Sequence, residues 1–285
     1  MRTRSRSSDP EAALAADSQY LSLSYRLSEI EHGYPKQVHI LSDPFLSTSL
    51  AHLCAQRTYQ PEINSLITTI YHNLIKILAN VEFPRKKVEI PSRMIEATPA
   101  GVYRGEILDP DSRAVVVDIA RAGTVPAQIC YIALNYVLDP RNVRQDHISM
   151  NRETDDQSRV TGVRVGGSKI GGPVDGAYVL FPDPMGATGS SISRAIRIYK
   201  HEVEGRARKY IALHLIVTPE YIRRITEEHP DVEVYAVRLD RGLSERDVLA
   251  ARPGKHWDRE RGLNEHQYIV PGGGGFGEIL NNSYV

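Results

Sequence analysis

The sequence predicts an α/β fold: a parallel sheet flanked by helices, with a small hood and a β-arm. Three observations carry that prediction. Apolar, β-branched runs at 114–119, 210–217 and 232–237, and another opening the stretch 177–193, read as buried strands. Helical patterns alternate with them, and such alternation demands a parallel sheet covered on both faces. Within 177–193 (AYVLFPDPMGATGSSIS) a small-residue turn joins strand to helix, the place where these sheets hold anions.

In chain order, residues 1–37 read as an extension. Its start, MRTRSRSSDPEAALAAD, is an Arg- and Ser-rich tail without the apolar core of a signal peptide, and a helix is expected over 20–31. From 38, VHILSDPFLSTSLAHL gives a short strand, a turn at Asp43-Pro44 and a helix. Residues 61–78 carry Ile63, Leu66, Ile67, Ile70, Leu74, Ile77 and Leu78 at helical spacing, a stripe for the core or a subunit contact. The alternating segment 86–106, with Pro91, Pro99 and Gly101, suggests a hairpin or hood. A strand at 114–119, a helix at 128–138 and a strand at 146–150 follow. The polar, Gly-rich segment 151–174 reads as a long mobile loop or a β-arm. After the stretch 177–193, a strand at 210–217, a helix at 219–228 and a strand at 232–237 complete the set.

Composition excludes several function classes. Lys+Arg balances Asp+Glu, 35 against 35, so no global basic field draws nucleic acid. No apolar run reaches the length needed to span a membrane. Cys54 and Cys130 sit in apolar helical contexts and read as reduced thiols, which places the protein in the cytoplasm. No Cys/His spacing suggests a structural metal.

The turn after the strand at 177 carries the chemistry. Its residues are Asp183, Pro184, Met185, Gly186, Ala187, Thr188, Gly189, Ser190 and Ser191. The first amides of the following helix have no partner within it and point at a ligand. Thr188, Ser190 and Ser191 add hydroxyl donors. Asp183 fits an anion site only where the ligand also carries hydroxyls or a metal, as a phosphorylated sugar does. DPMGATGSS resembles the DPMLATGGS loop of the uracil phosphoribosyltransferases, including the Asp-Pro pair typical of that family.

Four further segments extend the resemblance. VVVDIARAGT (115–124) is similar to the family's VPILRAG, which implies that Arg121 donates to the pyrophosphate of phosphoribosyl pyrophosphate (PRPP); the family's Pro is Asp118 here. ISMNRE is similar to VGMYRNEE, which makes Arg152 the second PRPP-binding arginine, with Asn151 in place of Tyr. LIVTPEYIRRITEEHPDVEVYAVRLD (215–240) closely resembles LVAAPEGIERLQEAHPDVEIYTAAID and reads as scaffold. RGLNEHQYIVPGGGGFGEI (261–279) resembles GLNEHGYIVPGLGDAGD, a loop whose backbone reads the base; by position Ile269, Gly274, Gly275 and Phe276 are implied as the contacts.

The resemblance spans about 38–277 and implies the type I phosphoribosyltransferase fold, with a domain at 38–285. It also implies transfer of phosphoribosyl from PRPP to uracil, giving UMP and pyrophosphate. Arg121 and Asp183 are the implied catalytic residues, Mg²⁺ accompanies PRPP, the arm closes over the substrate, and the chain forms a homodimer or higher homo-oligomer. There are departures. Gly275 stands where the family has an Asp that contacts PRPP, Glu278 replaces a second Asp, and an insertion at about 241–260 precedes the base loop, at the expected mouth of the acceptor pocket. They leave two alternatives: a phosphoribosyltransferase with another acceptor, and a non-catalytic PRPP- or nucleotide-binding regulator.

Overall fold

The computed structural model describes residues 17–154 and 160–283, and for 151–154 and 160–163 the backbone alone. The described residues begin with a single 3₁₀ turn at Ser18–Tyr20, and the helix expected over 20–31 does not form. Leu21, Leu23, Tyr25 and Leu27 alternate with Ser22, Ser24, Arg26 and Ser28, a period of two that suits extended chain. That extended backbone is satisfied by neighbours. Leu23 N–H donates to Glu106 (2.9 Å), Arg85 donates to the Leu23 carbonyl, and Ile30 N–H donates to the Ile40 carbonyl (3.0 Å).

β1 (Val38–Ile40) leads into α1 (Pro44–Leu53), where Asp43 caps the Leu46 amide at 3.0 Å and Pro44 fills the first turn. α2 (Glu62–Glu82) buries Ile63, Ile67, Ile70, Leu74, Ile77 and Leu78 in the core. β2 (Arg85–Pro91) and β3 (Val102–Leu108) pair antiparallel as the expected hood. β4 (Ala114–Ala120) is buried along almost its whole length. α3 (Thr124–Asn135) starts four residues before the expected 128. Val125 and Pro126 belong to its first turn, where the missing N–H of a proline has no intrahelical partner to lose.

β5 (Val143–Thr154) and β6 (Val160–Lys169) pair antiparallel, so the segment after 150 forms the expected β-arm; residues 155–159 lie outside the described residues. So does the tail expected at 1–17, up to residue 16. β7 (Tyr178–Pro182), the short β8 (Met185–Gly186), α4 (Ser190–His201), β9 (Lys209–Val217), α5 (Pro219–Glu228) and β10 (Val232–Leu239) follow. The sheet order is β1-β10-β9-β7-β4-β5-β6, with β8 beside β9; every pairing is parallel except β5 with β6.

Strand alternation divides the core between two faces. Val116, Leu180, Leu213 and Leu215 point toward α1, α2 and α3, while Val115, Val117, Val179, Phe181 and Ala212 point toward α4 and α5. The strands therefore read as continuous apolar runs because both of their faces are covered.

The segment 241–260, expected as an insertion, holds α6 (Arg246–Ala250) and packs against α5 and the segment around Tyr34. Trp257 donates its indole N–H to the Pro219 carbonyl at 3.2 Å, and Arg223 donates to the Trp257 carbonyl at 2.6 Å. At its centre Glu260, 1% exposed, accepts from Arg241 (2.9 Å), the Gly254 amide (2.8 Å) and the Tyr34 hydroxyl. Arg241 also donates to the carbonyls of Val248 and Ala251 at 2.8 and 2.7 Å. One guanidinium thus neutralises a buried carboxylate and closes the loop. Arg241→Ala is expected to destabilise the protein by about 3 kcal/mol, because an uncompensated buried charge remains. A urea midpoint equal to that of the parent chain would count against this account.

Candidate active site

A cleft of about 590 Å³ opens at the carboxyl ends of β4 and β7, the end of a parallel sheet where strand-to-helix loops converge. Three loops line it: the one between β4 and α3, the one between β7 and α4, and the glycine-rich loop that ends in α7 (Phe276–Ile279).

The loop after β7 is fixed from below by β9. Asp183 N–H donates to the Leu213 carbonyl at 3.0 Å, and the Pro184 carbonyl accepts from Leu215 and Ile216 at 3.0 and 3.1 Å. Thr218 N–H donates to the Gly186 carbonyl at 3.1 Å, and its hydroxyl to the Ala187 carbonyl at 2.6 Å. Pro184 and Gly186 therefore anchor the loop and do not line the cleft; Asp183, Met185, Ala187, Thr188, Gly189, Ser190 and Ser191 do. Gly189 turns the chain into α4 with φ of 79°, a conformation that disfavours a side chain, and α4 has no side-chain cap. Its opening amides sit at the cleft floor with the positive end of the helix dipole. The Asp183 carboxylate accepts from the Met185 amide at 3.1 Å, which sets its direction.

Beneath this loop lies His214, fully buried. Its Nδ1–H donates to the Asp183 carbonyl at 2.6 Å, and Nε2 accepts from the Tyr221 hydroxyl at 2.5 Å. Burial holds its pKa down at about 4, so the ring is neutral at pH 7.

Arg121 stands at the opposite wall, 45% exposed, after a cis Ala120–Arg121 peptide. It donates to the Ser283 hydroxyl at 2.8 Å and faces Glu278 at 3.8 Å. The side chain of Asp118, where the resemblance had a proline, is buried. It accepts from the Thr124 hydroxyl at 3.0 Å and lies 2.9 Å from His147 Nδ1, tying the end of β4 to α3 and β5. Arg152 lies on the described backbone of β5 opposite Val163, and its side chain lies outside the described residues.

The third loop brings Ile269, Gly274, Gly275 and Phe276 to the cleft, together with Gln267, Tyr268 and Glu278. A Cβ on Gly275 would meet the Glu278 carboxylate, so the glycine leaves room for Glu278 to lie along the loop. None of residues 241–260 lines the cleft, so the segment expected at its mouth lies outside it. It braces the loop from behind: Gly242 N–H donates to the Val270 carbonyl at 3.0 Å, and Leu243 N–H to the Arg261 carbonyl at 3.0 Å.

Sequence reasoning missed Arg224, which reaches from α5 to donate to the Ser190 hydroxyl and adds positive charge behind the loop. Its only signal was an arginine within a helix read as scaffold. One group with metal-ligand proximity, His39, Glu82 and Glu233, occurs among the described residues. Lys209 Nζ already bridges its carboxylates at 2.8 and 3.1 Å, at the amino ends of β9 and β10, far along the sheet from the cleft. Among the described residues no helix is long and apolar enough to cross a membrane.

Comparison with known proteins agrees with this geometry. A family model described as uracil phosphoribosyltransferase matches residues 40–259. A uracil phosphoribosyltransferase of Dictyoglomus thermophilum is 29% identical over 244 residues, covering 85% of this chain and 98% of the relative. One from Caldanaerobacter subterraneus is 24% identical over 245 residues, covering 86% and 97%. The solved structure of the AQ2163 protein from Aquifex aeolicus shares the fold, with a TM-score of 0.65 at 24% identity, covering 87% of this chain and 99% of that one. The chain belongs to the uracil phosphoribosyltransferase family.

His214 makes a pH prediction. Its folded pKa of about 4 lies below the unfolded value of about 6.5, so the unfolded state binds the extra proton between them. The contribution is fully present above pH ~6.5 and is lost as pH falls toward ~4, by about 3 kcal/mol in all. Denaturant melts of the parent and of His214→Asn across that window are expected to converge as pH falls; parallel curves would contradict this role.

Proposed function

We propose that the protein transfers the 5-phosphoribosyl group of PRPP to uracil, giving UMP and pyrophosphate. The observation that carries this reading is the cleft itself: helix amides, a cationic loop and a glycine-rich loop face one another across a single cavity. The start of α4, with Thr188, Ser190 and Ser191, binds the 5′-phosphate through open amides and hydroxyls. Asp183 accepts from the ribose hydroxyls. Arg121 and Arg152 take the diphosphate.

In the reaction a ring nitrogen of uracil attacks C1′, the bond from C1′ to the diphosphate oxygen breaks with its electron pair, and the ring-nitrogen proton passes to water or to the departing diphosphate. Negative charge grows on the leaving group, where a fixed guanidinium stabilises it more in the transition state than before it. The distant 5′-phosphate anchor holds C1′ against the base. Backbone groups of Ile269, Gly274, Gly275 and Phe276 present fixed donors and acceptors to the pyrimidine edge.

Mg²⁺ belongs to the same reading. The cleft offers the Asp183 and Glu278 carboxylates, a donor set that suits an ion carried mainly by substrate oxygens. When bound, it neutralises diphosphate charge. Homo-oligomer formation is supported by α3, which exposes Ile132 beside the exposed Tyr136 and Val137. A cytoplasmic location is supported by two free cysteines, Cys54 and Cys130.

Glu278 favours a second reading, another acceptor base, because it places a carboxylate beside the base loop. The test is pyrophosphate release from PRPP with Mg²⁺ over a panel of bases. Uracil-dependent release is expected, and Arg121→Ala is expected to lower kcat/KM for PRPP by about 100-fold. Release with a different base alone would select the second reading. PRPP binding without release for any base would mark a regulator.

A further inference from the structure

The glycine-rich loop has almost nothing of its own to hold it in shape. Residues 271–275 are Pro-Gly-Gly-Gly-Gly, and a run of glycines loses more conformational freedom on ordering than any other sequence. A backbone that is to read a ligand must nevertheless be fixed before the ligand arrives, or ordering it weakens binding. The fixing contact comes from the end of β10. Asp240, 3% exposed, accepts from the Gly272 amide at 2.7 Å. Arg238 grips the same carboxylate with both arms of its fork, Nε to one oxygen at 2.6 Å and a terminal nitrogen to the other at 2.8 Å. That terminal nitrogen also donates to the Gly272 carbonyl at 3.1 Å. A single ion pair therefore holds both backbone polar atoms of Gly272, and neither of its members lines the cleft.

We propose that Arg238, acting through Asp240, is the positioning residue of the acceptor-reading loop. It fixes Gly272 and thereby the direction in which the amides and carbonyls of the following glycines face the base. This rests on the phosphoribosyl-transfer reading. Its specific consequence is an asymmetry: the clamp governs recognition of the base and leaves the phosphate site, built on β9 and α4, untouched.

Calorimetric titration of the full chain with UMP and with ribose 5-phosphate separates the two sites, because only UMP engages the base loop. Arg238→Ala is expected to weaken UMP about tenfold while ribose 5-phosphate changes less than about twofold, with Arg238→Lys between, since an ammonium keeps the charge but not the fork. Thermal melting accompanies each variant, and Arg238→Lys carries the test if Arg238→Ala does not fold. Equal weakening of both ligands, or a lowered melting temperature with the ratio unchanged, would overturn the proposal and leave Arg238 a stability residue. If the parent chain prefers another nucleoside monophosphate to UMP, the uracil reading fails and the same ratio is taken with that nucleotide. If no nucleoside monophosphate binds the parent more tightly than ribose 5-phosphate, the loop reads no base and the clamp proposal falls.

Discussion

The hydrogen bonds that β9 and the residue after it give to the loop following β7 are the constraint on which the site rests. Leu213, Leu215, Ile216 and Thr218 satisfy backbone groups of Asp183, Pro184, Gly186 and Ala187. A loop at a strand's end exposes polar groups that would otherwise need water, and unpaired groups here would be costly. Because β9 supplies the partners, the loop's remaining donors are free to face the cleft. His214 reinforces the arrangement: a neutral ring between the Asp183 carbonyl and the Tyr221 hydroxyl joins strand, loop and α5 without placing a charge beneath the loop.

The glycine-rich side of the cleft follows the opposite principle. Its loop is poor in side chains, so its order is imposed from outside by Asp240, by Gly242 and by the bond between Val270 and Gly262. Behind these stands the insertion, locked by the Arg241–Glu260 pair and by Tyr34 from the N-terminal segment. The extension and the insertion, distant in sequence, are thus one brace. The buried ion pair costs desolvation that packing must offset, and its directionality sets a unique geometry for a segment with little core of its own.

Much of the sheet was legible in sequence because buried parallel strands must be apolar on both faces, as 114–119 and 210–217 are. α5 was legible to the residue, since Pro219 and a capping threonine mark its start. The helix expected at 20–31 failed for a physical reason: the composition suits a helix, but the alternation of Leu and Ser has the period of extended chain, and the hood and β1 supply its hydrogen bonds. Arg224 and Glu278 were not identified as site residues because their roles depend on neighbours remote in sequence, Ser190 and Arg121.

By itself the sequence determined the α/β class, the strand–turn–helix built from small residues, and the arginine and glycine-rich segments that accompany it. Those features are local: hydrophobic period, turn chemistry and capping act within a few residues. Only the tertiary structure decided that residues 241–260 brace the glycine-rich loop from outside the cleft, that Glu278 lies in the space left by Gly275, and that Arg238 and Asp240 grip Gly272. Each of those is a pairing across the fold, and its geometry is set by which strand ends meet at the carboxyl edge of the sheet.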